Sequence, residues 1–254
     1  MGSGAGRVAL VSGASRGIGR ACALALAEDG ADVVVNYLSH PAEAAGVVQE
    51  IERLGRRGLA HRADVSDRAQ VDAMVAAALD RFGRLDAVVA NAYRSIRQPF
   101  LGVSPEGLEQ TLAVTLLGAF HVCQAGARAM VERGVAGSIT VIGSIHGETG
   151  FSNSTSYNIA KFGLTGLVLT AANELAAHGI RVNLVNPGWI DTPGERRYAT
   201  EEELRAAAQR LPWRRLGQPR EIGRVVAFLA SDGASFVSGA VLRADGAQIA
   251  GLGG

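Results

Sequence analysis

Three residues near the middle of the chain have types and spacing suited to moving a proton. Ser144 is followed thirteen residues later by Tyr157, and Lys161 comes four residues after that. On a helix, residues four apart share a face, so the phenol and the ammonium point into one space. An ammonium there lowers the phenol from its ordinary pKa near 10 by stabilising phenolate. A tyrosine tuned in this way gives or takes a proton near neutral pH. Ser144 follows a predicted strand and offers a hydroxyl to hold a carbonyl or alcohol oxygen. Taken alone, Tyr-xxx-Lys is a common accident on an amphipathic helix. Composition singles out the lysine: the 25 basic residues are 24 arginines and Lys161. An ammonium and a guanidinium differ in shape, hydration and ease of pKa tuning, so a lone lysine among arginines needs a location to explain it.

A second feature stands near the N-terminus. The first predicted strand runs through Ser12-Gly13-Ala14-Ser15-Arg16-Gly17-Ile18-Gly19 directly into a helix. Such glycines permit a tight turn, let backbone N–H groups approach a pyrophosphate and present the positive helix end to it. The second strand ends at Asn36-Tyr37, where a fold preferring NAD places an acid for the ribose hydroxyls. No acid is there, and Arg16 can reach toward a 2′-phosphate, which favours NADP(H) over NAD(H); otherwise Arg16 is a solvated loop charge. Asp64-Val65 follows the third strand and Asn91 closes the fourth.

These residues need a scaffold. Short β-branched runs alternate with stretches of helical length. The pattern predicts strands at Val8–Val11, Val33–Asn36, Leu59–Arg62, Ala87–Asn91, Ile139–Ile142, Val182–Asn186 and Ala240–Leu242. Most are apolar on both faces, as parallel strands covered by helices are. Helices are predicted at Gly17–Glu28, Ala42–Leu54, Arg68–Phe82, Pro105–Glu132, Ser156–His178, Glu201–Arg210 and Arg220–Ser231. Several end at a glycine: Gly30, Gly55, Gly83, Gly134 or Gly179. The expected architecture is α/β: one doubly wound, Rossmann-type domain over residues 1–254, with a seven-stranded parallel sheet. Gly188 to Pro219, broken by Pro193 and Pro212 and holding Trp189 and Trp213, reads as a flap over a site.

Composition narrows the function. A formal net charge of +1 offers no basic field for nucleic acid. Cys22 and Cys123 form no metal or disulfide spacing, and the five histidines (His40, His61, His121, His146, His178) lack paired ligands, so no metal is expected. No secretory signal pattern and no long uninterrupted apolar run appear, so a cytoplasmic protein with no membrane partner is expected.

Together the glycine loop, Ser144, Tyr157-xxx-Lys161, Asn186-Pro187-Gly188-Trp189-Ile190-Asp191-Thr192 and the C-terminal Phe236-Val237-Ser238-Gly239 and Asp245-Gly246 resemble the compact short-chain dehydrogenase/reductase family over nearly the whole chain. The resemblance implies an NAD(P)-dependent oxidoreductase moving hydride between nicotinamide and a carbonyl or secondary alcohol carbon. Tyr157 would be the acid/base, Ser144 would orient the substrate oxygen, and Lys161 would tune Tyr157 and hold the nicotinamide ribose. Gly13, Ser15, Arg16, Gly17, Ile18, Gly19, Tyr37, Asp64, Val65 and Asn91 would contact the cofactor. Pro187, Gly188, Ile190 and Thr192 would lie beside its nicotinamide. It further implies pairing of the two long helices between subunits, usually into a homotetramer, with a dimer as the alternative.

Two positions depart from the family pattern. Ala90-Asn91-Ala92-Tyr93 puts a phenol where the family has glycine, and Val114-Thr115-Leu116 replaces the asparagine that holds a relay water. Either Thr115, with Tyr93, holds that water, or the proton reaches Tyr157 through Lys161 and solvent. Tyr93, Ile145, His146 and Trp189 are expected around the substrate. Arg94 and Arg97 could grip an anionic substrate or are simply solvated. A non-catalytic NADP-binding regulator and a scaffold subunit are the rival readings.

Overall fold

The computed structural model describes residues 6–250. Seven strands are present: β1 (Val8–Val11), β2 (Asp32–Tyr37), β3 (Gly58–Arg62), β4 (Ala87–Ala90), β5 (Ser138–Ile142), β6 (Arg181–Pro187) and β7 (Val241–Ala244). Eight α-helices accompany them: α1 (Gly17–Glu28), α2 (Pro41–Arg53), α3 (Arg68–Phe82), α4 (Pro105–Leu112), α5 (Gly118–Glu132), α6 (Thr155–Leu175), α7 (Glu201–Ala208) and α8 (Pro219–Ala230). All strand pairs are parallel, in the order β3-β2-β1-β4-β5-β6-β7. The order reverses between β1 and β4. A crevice opens there at the strands' C-terminal ends, where ligands of such sheets bind.

Alternation along β1 explains the three layers. Val8 and Leu10 face a core shared with Met74 of α3, Val122 of α5 and Leu164 of α6. Ala9 and Val11 face the other core, with Leu26 of α1, Ile51 of α2 and Val226 of α8. Successive side chains of a strand point to opposite faces, so one short apolar run serves both cores. The edge strands differ: β3 and β7 are partly exposed, with Val241 at 41 %.

Local signals set the helix ends. Asp67 caps α3 by accepting from Ala69 and Gln70 N–H groups. Thr200 and Glu203 form a reciprocal cap on α7. The five glycines read as helix stops all have positive φ. Two long predicted helices are corrected. Pro105–Glu132 is broken by a π-helical turn, Ala113–Leu117, and Ser156–His178 ends in a 3-10 turn, Ala176–His178. The 28-residue stretch 105–132 has the length and composition of a membrane span, yet 56 % of its 18-residue apolar window is buried in the protein as a core element.

Candidate active site

The cofactor side of the crevice is built from backbone. Asn36, buried in β2, accepts from Gly13 N–H through Oδ1 (3.0 Å) and donates through Nδ2 to the Ala63 carbonyl (3.0 Å). Asn91 reaches from the end of β4 and donates to the carbonyls of Ser12 (2.9 Å) and Gly13 (3.1 Å). Its own N–H, with that of Ala92, donates to Ser12 Oγ. The loop is thus held from both neighbouring strands. A Cβ on Gly19 would run into the Gly13 carbonyl and the Asn91 amide, so this close packing of α1 under the loop requires glycine. No side chain of the described residues caps α1, and its first turn carries no acid, so the N–H groups of Gly17, Ile18 and Gly19 stay free for an anion. Thr192, at the start of the flap, faces Gly17. This cradle fits a dinucleotide pyrophosphate.

Other expected cofactor residues are placed as follows. Tyr37 ends β2 half-buried, paired in register with Arg62. Asp64 accepts from Ser66 N–H and Oγ in its own turn (2.9 and 2.6 Å). Val65 buries its side chain in the core against Gly118, and its carbonyl lies 3.0 Å from His121 Nδ1. Pro187 and Ile190 are buried. Gly188 N–H donates to the Ala244 carbonyl, tying the flap base to β7.

The residues expected to be catalytic follow β5. Ser144 is 9 % exposed and its N–H donates to Asn186 Oδ1 (2.9 Å). Asn186 in turn donates to Glu148 Oε1 (2.8 Å), and Arg243 of β7 donates to Glu148 Oε2 (2.7 Å). Burial alone would raise the Glu148 carboxyl, but hydrogen bonds from Arg243 and Asn186 outweigh it and hold it below the usual range. A Cβ on Gly143 would occupy the place of Asn186 Oδ1, so glycine is needed there. Ser144 Oγ accepts from His146 N–H (3.1 Å), which leaves the hydroxyl proton free to donate.

Tyr157 and Lys161 lie on the same face of α6, as the spacing predicts. Lys161 is 3 % exposed; its Nζ donates to the Ile142 carbonyl (2.7 Å) and lies 5.4 Å from the Tyr157 ring centre. Burial brings its pKa from 10.5 down to about 7. The phenol shifts opposite to the sequence expectation. Burial pushes Tyr157 up, nearby Tyr93 adds to this, and Ser144 only partly opposes it. The physical reason is that the lysine is tied to Ile142 beneath the ring and its charge is itself suppressed by burial. Burial thus favours the protonated phenol and the neutral amine.

The residues expected around the substrate are placed as follows. His146 holds Asn158 Oδ1 through Nδ1 (2.8 Å), stacks on Phe151 (4.1 Å) and meets the edge of Tyr157 (5.2 Å). Burial keeps its imidazole below the ordinary pKa. Tyr93 packs edge-on to Tyr157 at 6.0 Å, with its hydroxyl beside Gly194 of the flap. Ile145 is buried in the turn after Ser144. Trp189 donates its indole N–H to Glu195 (2.8 Å), and Ile190 bridges Gly217 to close the flap's base. Thr115 lies in the π turn, donating its proton to the Arg94 carbonyl (2.8 Å) and accepting from Arg94 N–H (3.0 Å). The bracing roles of Asn36, Asn186, Glu148 and Arg243 were not read from sequence. For Asn36, Asn186 and Arg243 the only local signal is a polar residue inside a strand run, and Glu148, in a turn, has none. Among the described residues no His/Cys/Asp/Glu cluster fit for a metal is present.

A doubly wound sheet with a phosphate cradle at its switch point, beside a serine, a buried lysine and a tyrosine, defines a dinucleotide-dependent oxidoreductase. The family profile described as enoyl-(acyl carrier protein) reductase matches residues 13–247. An L-rhamnose 1-dehydrogenase (NAD(P)(+)) of Sphingomonas sp. is 40 % identical over 248 residues, covering 97 % of this chain and 98 % of the relative. A 3-oxoacyl-[acyl-carrier-protein] reductase of Synechocystis sp. is 37 % identical over 244 residues, with 96 % and 97 % covered. The crystal structure of a short-chain type dehydrogenase/reductase from Mycobacterium marinum superposes with a TM-score of 0.90 at 33 % identity, covering 96 % of each chain. This chain belongs to the short-chain dehydrogenase/reductase family. It is an NAD(P)-dependent oxidoreductase acting on a carbonyl or secondary alcohol of a small molecule. The bound nicotinamide supplies or accepts the hydride.

Proposed function

We propose that this enzyme prefers NADP(H) and uses Tyr157 as acid/base, Ser144 to hold the substrate oxygen and Lys161 to serve both the tyrosine and the nicotinamide ribose. The observation that carries the catalytic reading is the convergence of these three side chains beside the glycine cradle. In the reductive direction, Ser144 Oγ–H donates to the carbonyl oxygen and Tyr157, held in its protonated form, delivers the proton to it. Thr115 has its single proton engaged by Arg94, which favours resupply of that proton through Lys161 and solvent. Pro187, Gly188, Ile190 and Thr192 flank the nicotinamide. Asn91 supports the cradle, and Asp64 and Val65 edge the adenine region.

The NADP preference is supported by the end of β2. Asn36 is turned inward to the loop, Tyr37 carries no acid, and the Asp64 carboxylate is held by Ser66. Arg62 stands in register beside Tyr37, and Arg16, half-buried at the start of α1, has no carboxylate partner among the described residues. A 2′-phosphate would add roughly two negative charges there. Arg16→Ala should reduce the NADPH:NADH ratio of kcat/KM by about tenfold or more, from loss of a charge-assisted contact. An unchanged ratio in steady-state assays removes Arg16 from phosphate recognition.

The chain further reads as one domain whose flap, residues 188–219, covers the substrate. Leu117 at the end of the π turn, Phe120 of α5 and Ile159, Phe162 and Leu169 of α6 leave exposed apolar surface, which supports a homotetramer or dimer. Both cysteines are unpaired and buried, consistent with a reducing, cytoplasmic setting. The substrate is a secondary alcohol or its ketone, and the relatives' names point to sugars and 3-oxoacyl compounds.

A further inference from the structure

Ten of the 24 arginines pair with a carboxylate among the described residues. Arg7 pairs with Asp232, Arg84 with Asp86, Arg243 with Glu148 and, within the flap, Arg196 with Asp191 and Glu201. Arg97, at the mouth, is different. Its guanidinium carbon lies 3.8 Å from the Tyr198 ring centre, and no carboxylate among the described residues pairs with it. The nearby acid of the flap, Glu195, is held by the Trp189 indole N–H (2.8 Å).

The backbone around Arg97 is fixed as well. Gln98 N–H donates to the Asn153 carbonyl (3.0 Å), and Gln98 bridges Ser154, the residue that starts α6 three positions before Tyr157. From the other side, Tyr198 Oη donates to the Ser95 carbonyl (3.3 Å). Arg97 is thus carried on a loop docked to the catalytic helix, with one face of its guanidinium covered by the flap. Its guanidinium N–H donors make no hydrogen bond among the described residues, and a planar carboxylate is the group such a fork accepts. Its charge is felt in the site: it opposes the burial-driven rise of Tyr157, and it adds to the burial-driven fall of His146.

We infer that Arg97 is a specificity residue that binds a carboxylate on the substrate, so that the enzyme acts on secondary alcohols or ketones bearing an acid group. This rests on the oxidoreductase reading of the same site. Stacking on Tyr198 fixes the guanidinium before substrate arrives, so less rotamer freedom is lost on binding. Tyr198 belongs to the flap, so a bound acid also links flap position to substrate charge.

The test compares keto acids with their own methyl esters, for example levulinate against methyl levulinate and a ring keto acid against its ester, with NADPH and with NADH. The wild-type enzyme should favour each acid by about tenfold or more in kcat/KM, in line with a charge-assisted pair. Arg97→Met should collapse the acid:ester ratio toward unity through KM for the acid, and Arg97→Lys should restore part of it. A merely structural role for Arg97 would lower acid and ester together and leave the ratio intact. That result, or equal use of acid and ester by the wild type, overturns the inference. Absence of turnover with every substrate and both cofactors overturns the catalytic assignment on which it stands, a failure distinguishable from esters being used as well as acids.

Discussion

Asn36 and Asn91 reach from buried strands to hold the glycine loop by its own carbonyls and N–H groups, whereas Tyr93, Arg97 and Tyr198 meet across the opposite side of the crevice through exposed rings and a guanidinium. One side is a backbone cradle tied into the sheet; the other is a side-chain clasp between two loops. A cradle for an invariant pyrophosphate must be rigid, and buried amides with full partners make it so. A mouth for a variable substrate can be remade by changing one loop residue without touching the core.

Three changes bear on that contrast, in falling order of effect. Asn91→Ala strips the partners from two loop carbonyls and should cost about 1–3 kcal/mol of stability, as unsatisfied buried groups do, together with a raised KM for the dinucleotide. Calorimetric melting and cofactor titration check both; an unaltered melt would mean that the cradle stands without its brace. Glu148→Gln keeps the shape but removes the charge that fixes Asn186 between Arg243 and the Ser144 backbone. It should lower kcat several-fold with little change in cofactor KM, because Ser144 and not the cradle loses its orientation. Equal losses in both parameters would place Glu148 in general folding instead. Tyr198→Phe removes one exposed hydrogen bond of 3.3 Å and keeps the stacking ring. Its effect on stability should fall below about 1 kcal/mol, with substrate KM moving only slightly. A large effect in a melt or in substrate titration would show that the clasp is as structural as the cradle.

The same contrast decides what the sequence made legible. Ser144, Tyr157 and Lys161 were readable because helical spacing and strand–helix order are local, and β1 to β7 were readable because buried parallel strands are plain apolar runs. The π turn at Ala113–Leu117 was not, since nothing in Ala-Val-Thr-Leu-Leu breaks helical periodicity; the turn coincides with the seat of Thr115 on the Arg94 backbone, a contact spanning 21 positions. Asn186 and Arg243 join Glu148 across 38 and 95 positions, and Arg97 reaches Tyr198 across the mouth. Such partners become visible only when the sheet order is known. The direction of the Tyr157 shift was also hidden, because it depends on how deeply α6 buries Lys161 rather than on the four-residue spacing.

That buried amine gives the most direct test. With a pKa of about 7 in the fold against 10.5 ordinarily, native Lys161 binds fewer protons than the unfolded chain between those values. Its contribution to stability therefore rises with pH across that window, and it is most unfavourable below about 7. Lys161→Met, an apolar replacement of similar length, should leave the ligand-free melting temperature at pH 6–7 equal or higher and remove this part of its pH dependence. It should also cut NADPH-dependent turnover by about a hundredfold or more, as loss of a group serving the acid/base does. Measured together on one preparation, a retained fold with lost turnover is the result predicted here. A folded Lys161→Met enzyme with wild-type kcat would contradict the assignment of Tyr157 and Lys161 as the proton machinery.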